Sequence, residues 1–235
     1  MKKNFLRGMS HGIPICLGYI SVSFGFGILA VNKAGLSAFM ASVISASNLT
    51  SAGQKAGIDV IAAGGTIIEM ILLQLTINIR YSLMALSLSQ KLDKRFSTPH
   101  RLLASYGITD EIFAVCSAQK EPITPAYMYG MILIAAVGWI AGTAMGAAAG
   151  NLLPASVSTA MEIVLYGMFI AIIIPPAKKQ HSVLFVVIMA AALSVVFKYA
   201  LPALSEGFAI IISAIAASAA AALIFPIKDE EEAEE

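Results

Sequence analysis

The chain has 235 residues, 58% of them hydrophobic and only 12% charged, with a mean hydropathy of +0.83; soluble domains carry about 25% charge. Repeated apolar runs near the ~20 residues that cross a bilayer predict an all-α, polytopic transmembrane helix bundle, and the lack of period-two alternation argues against a β-barrel. The net charge of +1 conceals an asymmetry. Six of the 14 acids (Asp229, Glu230, Glu231, Glu232, Glu234 and Glu235) crowd the C-terminal end, leaving 8 against 15 bases, and those bases lie at segment ends, which gives nucleic-acid binding no support.

The first apolar run, Ile13–Val31, follows Lys2, Lys3 and Arg7 in the manner of a signal peptide. It is too long for an h-region of ~7–15 residues and no clear cleavage site follows, so it is predicted as the first span. Leu36–Leu49 is short, and a polar stretch from Asn48 to Asp59 interrupts the chain after it. The remaining apolar segments are Ile58–Ser89, Leu102–Ala118, Thr124–Gly150, Met161–Ala177, Ser182–Tyr199 and Gly207–Pro226. Basic residues cluster at Lys2/Lys3/Arg7, at Lys91/Lys94/Arg95/Arg101 and at Lys178/Lys179, and the positive-inside rule assigns all three clusters to the cytoplasm.

That assignment allows only an odd number of crossings between Val31 and Ser89. Leu36–Leu49 is therefore expected to enter and turn back, or to form a broken helix. Leu102–Ala118, which carries Asp110 and Glu111 and runs into Lys120-Glu121-Pro122, reads as re-entrant too. The expectation is six spans, or seven, with broken or re-entrant helices near 45–60 and 102–118. Residues 1–227 form a single transmembrane domain and 228–235 a disordered acidic cytoplasmic tail, so both termini are cytoplasmic. No internal repeat is visible.

Charge at membrane depth costs ~2.5–3.5 kcal/mol on insertion scales and marks a pathway or binding site by default. Irregular backbone there is tolerated only beside protein or a water-filled cavity, so interrupted segments point to a transporter's site. Both signals select the same two regions: Gln74…Asn78-Ile79-Arg80-Tyr81 with Ser51-Ala52-Gly53-Gln54, and Thr109-Asp110-Glu111. Arg80 can meet a carboxylate on another helix or on a substrate; snorkelling to headgroups is the alternative. Gln74 and Asn78, four residues apart, share a helix face and orient a ligand or glue helices together. Asp110 and Glu111 follow Thr109 as acids in a first helical turn, a capping role that leaves either carboxylate able to hold an ammonium or a proton. Ser51–Gln54 suits a tight break or a surface turn. Gly138, Gly142, Gly146 and Gly150 recur every fourth residue as a helix-packing stripe, against either an internal helix or another subunit.

Enzymatic readings find no support. His11, His100 and His181 lie at segment ends, no Gly-Lys-Ser phosphate loop is present, and Asp59 and Asp110 do not form a matched pair. Cys16 and Cys116 fall in apolar runs as small buried hydrophobes, so neither a metal nor a cofactor is expected.

The ordered pieces Gly12-x-Pro14, Gly18, Phe24-Gly25-x-Gly27, Ser51-Ala52-Gly53-Gln54, Asn78-Ile79-Arg80-Tyr81, Thr109-Asp110-Glu111, Trp139, Gly142-Thr143, Gly146 and Met168-Phe169-Ile170 before Pro175 resemble the AzlC family of branched-chain amino acid permeases over roughly residues 7–177. Lys55 departs from the apolar or aromatic residue expected after the glutamine. The resemblance implies a secondary exporter of branched-chain or other apolar amino acids in the bacterial inner (plasma) membrane. It also implies a small AzlD-like membrane subunit as partner. In that reading, driven by the proton gradient, Arg80 receives the substrate carboxylate and Asp110 or Glu111 receives its ammonium or the coupling proton. Gln54, Gln74 and Asn78 orient it. The rival from another class is a non-transporting structural subunit of a membrane complex, and a channel-like facilitator is a further one.

Overall fold

A computed structural model describes residues 2–149 and 173–226, with the isolated positions 156, 167 and 170. Gly150, Met168-Phe169, most of the predicted span Met161–Ala177 and the acidic tail lie outside the described residues. Within them the chain is helical: α1 Lys2–Ala34, α2 Ala38–Ser47, α3 Ser51–Ala62, α4 Ile67–Ser89, α5 Thr98–Ser105, α6 Asp110–Ser117, α7 Pro125–Ala149, α8 His181–Ala200 and α9 Glu206–Ile224. Five of these, α1, α4, α7, α8 and α9, are long and apolar enough to cross a membrane. The four short helices pair off around two breaks, at residues 48–50 and 106–109.

The central support is the parallel pair α1 and α7, joined along their length by glycines. A Cβ added at Gly8, Gly12 or Gly27 of α1 would collide with the backbone or side chains of α7 at Tyr127, Met131–Ile134 or Thr143–Ala147. Reciprocally, one added at Gly130, Gly138, Gly142 or Gly146 would collide with α1 at Phe5, Cys16, Ile20–Ser23 or Phe24. Hydrocarbon supplies no hydrophobic force between apolar helices, so close van der Waals contact through small residues does that work. The partner of the glycine stripe is thus a helix of the same chain.

The short helices are re-entrant pairs that enter from opposite faces. The α2–α3 pair begins just after the end of α1 and returns to it, where Lys33 at that end pairs with Asp59 of α3 at 2.5 Å and Lys55 reaches the other oxygen of the same carboxylate. The α5–α6 pair enters and leaves at the opposite end. There the backbone N–H of Asp93 donates to Ile123 O and that of Ile123 to Lys91 O, both at 2.9 Å, and Arg7 of α1 pairs with Glu121 at 2.8 Å. This second end is the basic face. In its loop, the side chain of Arg95 hydrogen-bonds Asp93 and holds that carboxyl down at about 2. Each unit, a long helix followed by a re-entrant pair, therefore occurs twice in opposite directions, as α1–α3 and α4–α6. This antiparallel relation has no visible counterpart in the order of residues.

One predicted element divides. The apolar segment Ile58–Ser89 is not one helix, because Gly64 takes a left-handed conformation (φ 66°) after α3 and Thr66 caps α4 by accepting from Glu69 N at 3.1 Å. A left-handed residue is cheap only for glycine, and a hydroxyl at the N-cap restarts the helix. Glu69, which shares a stripe with Arg80 in sequence, is buried at the far end of α4 and accepts from Ser205 at 2.5 Å. That bond ties the α8–α9 hairpin to α4.

A substitution separates packing glycines from idle ones. Gly142→Ala forces a methyl into Ser23 and Ile20 and should destabilise the detergent-solubilised protein by about 1–3 kcal/mol. Gly18→Ala, which meets nothing within 4 Å, should leave it unchanged. Thermal unfolding of the two variants side by side checks this; equal melting temperatures would contradict the α1–α7 interface.

Candidate functional site

Both breaks lie halfway along the long helices, and each ends in a threonine N-cap. Thr50 accepts from Gly53 N at 3.2 Å to start α3, and Thr109 accepts from Ile112 N at 3.4 Å to start α6. The N-termini of α3 and α6 consequently meet at mid-depth, with positive dipole ends aimed inward. The breaks touch directly: the Tyr106 hydroxyl donates to Ala46 O at the end of α2 at 2.7 Å.

A small cavity sits there, lined by Tyr19 of α1, Leu49 and Ser51 at the first break, Tyr81 of α4, Thr109, Asp110 and Glu111 at the second break, and Trp139 of α7. About 10 Å³ of it is open to the centre of a water molecule, room for roughly one water. Arg80 Nη2 meets Asp110 Oδ2 at 3.0 Å, and both side chains stay about a third exposed (37% and 34%). The guanidinium also lies against the Tyr81 ring, 5.1 Å from its centroid. Arg80 Nε is buried with no hydrogen-bond partner. The Tyr19 hydroxyl lies 2.6 Å from Glu111 Oε2 and 2.7 Å from Thr109 Oγ1. With one proton to give, Tyr19 donates to the carboxylate and accepts from the threonine.

The three amides named from sequence stand behind this cavity rather than on its wall. Gln74 Nε2 donates to Gly53 O at 2.8 Å, Asn78 Nδ2 donates to Gln74 Oε1 at 3.0 Å, and Thr50 donates to Asn78 Oδ1 at 2.8 Å. Tyr81 in turn donates to Thr50 at 3.1 Å. This string fastens the first break to α4 and ends beside Arg80. Gln54, 2% exposed, is consumed by the backbone at the end of α2 and by Trp139. The Ser51–Gln54 tetrapeptide is not itself the break. It forms the first turn of α3, and the break precedes it at Asn48–Thr50.

Sequence reasoning missed Tyr19, Tyr81, Trp139 and Leu49 as cavity residues. An aromatic in an apolar span carries no charge signal, and only its phenol or indole N–H hints at a polar neighbour. No cluster of three potential metal ligands occurs among the described residues.

Comparison with known proteins covers both breaks. A family model described as AzlC protein matches residues 14–153. An uncharacterized membrane protein of Archaeoglobus fulgidus is 31% identical over 181 residues, covering 75% of this chain and 78% of its own. The inner membrane protein YgaZ of Escherichia coli is 26% identical over 206 residues, 84% of this chain and 83% of its own. An uncharacterized membrane protein of Helicobacter pylori is 27% identical over 184 residues, 77% and 78% respectively. No solved structure matches.

Thr50 is shared by the helix cap and by the string that leads to Arg80. Thr50→Val keeps its shape but strands the Gly53 N–H and the Asn78 and Tyr81 side chains. The expected loss is about 1–3 kcal/mol for the buried groups left unpaired, read as a lower melting temperature. Thr76→Val, whose hydroxyl bonds only to Leu72 O in its own helix, should show no such drop.

Proposed function

The chain belongs to the AzlC family of membrane proteins, and from that premise we propose that it is a secondary-active exporter of branched-chain and related apolar amino acids. It works with a small AzlD-like membrane subunit in the bacterial inner membrane, with both termini in the cytoplasm. The observation that carries this reading is the Arg80–Asp110 ion pair, 3.0 Å apart at mid-depth where the α3 and α6 N-termini converge.

A zwitterionic amino acid needs a cation and an anion close together. Inserted between Arg80 and Asp110, its carboxylate takes the guanidinium and the helix N-termini, and its ammonium takes the aspartate. One ion pair is replaced by two, and the net charge of the site does not change. That neutrality matters, because an unpaired charge at membrane depth is costly. Leu49, Trp139 and Tyr81 supply apolar surface for the side chain.

Glu111, bonded to Tyr19 rather than to a cation, is the candidate carrier of the coupling proton. The cavity holds about one water, so substrate entry requires a break to move. The two re-entrant pairs come from opposite faces, and displacing one or the other opens the same site to one side or the other. This is the geometry alternating access needs.

Leucine efflux from proteoliposomes holding the chain and its partner subunit tests the reading. Arg80→Gln and Asp110→Asn should each reduce efflux at least about a hundredfold, the scale of losing a charged contact worth ~3 kcal/mol, while the protein still elutes as a folded species. Glu111→Gln should retain leucine exchange and lose its response to a pH gradient. Full efflux by both ion-pair variants would refute the site, and no leucine movement by the wild type would favour a structural subunit.

A further inference from the structure

Gln54 is buried and chemically saturated. Its Nε2 donates to Ile44 O at 3.1 Å and Asn48 O at 2.5 Å, carbonyls at the C-terminal end of α2. Its Oε1 accepts from Trp139 Nε1 at 2.9 Å and from Ser45 Oγ at 3.4 Å. A primary amide has two donors and two lone pairs, so no capacity is left for a ligand. The orientation of the amide is determined as well. Turned over, its NH2 would face the indole N–H, and its oxygen would face two carbonyls. Ser45, giving its proton to Gln54, accepts one from Thr143 of α7 at 2.7 Å, so the end of α2 is bound to α7 twice.

Trp139, by contrast, lines the cavity. Its ring stands edge-on to Tyr19, with centroids 5.1 Å apart and planes at 74°, and Tyr19 holds Glu111 and Thr109 of the second break. A continuous path therefore runs from the first break through Gln54, Trp139 and Tyr19 to the second, along the cavity wall.

We propose that Gln54 is a positioning residue: it holds the indole of Trp139 to the end of α2, so that the seat of the ring on the substrate cavity follows the state of the first helix break. Gln54 acts on the substrate through Trp139 and without touching it. This rests on the reading of the cavity as the amino acid site.

Trp139 is the only tryptophan in the chain, so its fluorescence reads the site directly. In the purified, ligand-free protein, Gln54→Leu should raise acrylamide quenching of Trp139 several-fold, because the ring loses its anchor. In proteoliposomes Gln54→Leu should raise the KM for L-leucine about tenfold, the loss expected of one buried hydrogen bond, with a smaller effect on kcat. Trp139→Phe, which keeps a ring and loses the N–H, should raise KM similarly. Since both act through one bond, the double variant should be no worse than the poorer single one. Wild-type quenching in Gln54→Leu, a wild-type KM in Trp139→Phe, or fully additive losses in the double variant would each overturn the proposal. If Gln54→Leu does not fold, Gln54→Glu keeps an acceptor for Trp139 while losing at least one of the two donations to α2, and unchanged quenching together with unchanged KM would overturn it equally. A wild type that moves no leucine refutes the transport reading alone, because the quenching comparison still reads the Gln54–Trp139 bond.

Discussion

Hydrocarbon provides no hydrogen bonds, and this protein brings the broken ends of four helices into the middle of its fold. Every other feature of the site answers that constraint. One orphan N–H of α3 and one of α6 are taken by Thr50 and Thr109, and carbonyls at the end of α2 are taken by Gln54 and Tyr106. Each unsatisfied backbone group in lipid would cost several kcal/mol. The polar side chains around the breaks are therefore structural before they are functional. What remains open after capping is the inward-facing surface of two helix N-termini, with Arg80 and Asp110 between them.

Such a centre needs a frame that does not yield. The α1–α7 pair provides it, because glycines on both helices bring the backbones into contact and leave no side chain free to shift between them. Tyr19 and Trp139 project from these two helices, so the backbone that carries this wall of the cavity is fixed, while the Trp139 ring is also held by Gln54. The opposite wall is made of short helices that dip in from either face, tied to the long helices by the Lys33–Asp59 and Arg80–Asp110 ion pairs and by side-chain hydrogen bonds.

Several residues were legible as sequence. Arg80, Asp110 and Glu111 stand out because charge within an apolar run is expensive, and Gly138, Gly142 and Gly146 stand out because a four-residue spacing puts them on one helix face. Parity of crossings, together with basic loops, already pointed to Leu36–Leu49 as a segment that turns back or breaks, and the shortness and acids of Leu102–Ala118 pointed to a second. Other residues were not legible in this way. Gln54, Gln74 and Asn78 looked like ligand-binding amides, but whether an amide faces a cavity or a backbone carbonyl depends on neighbours far away in the chain. The break at Gly64 was hidden in a long apolar run, since hydropathy does not register a left-handed glycine.

Composition, hydropathy and the placement of bases and acids were enough for the class, the approximate spans and the charged centre, because the cost of moving a group from water into lipid belongs to that group alone. Packing partners, the pairing of Arg80 with Asp110, the aromatic wall of Tyr19, Tyr81 and Trp139, and the opposed directions of the two re-entrant pairs came only with the tertiary structure. These depend on distances between residues tens of positions apart, and hydrogen bonds and van der Waals contacts act over a few ångströms of space whatever the separation along the chain.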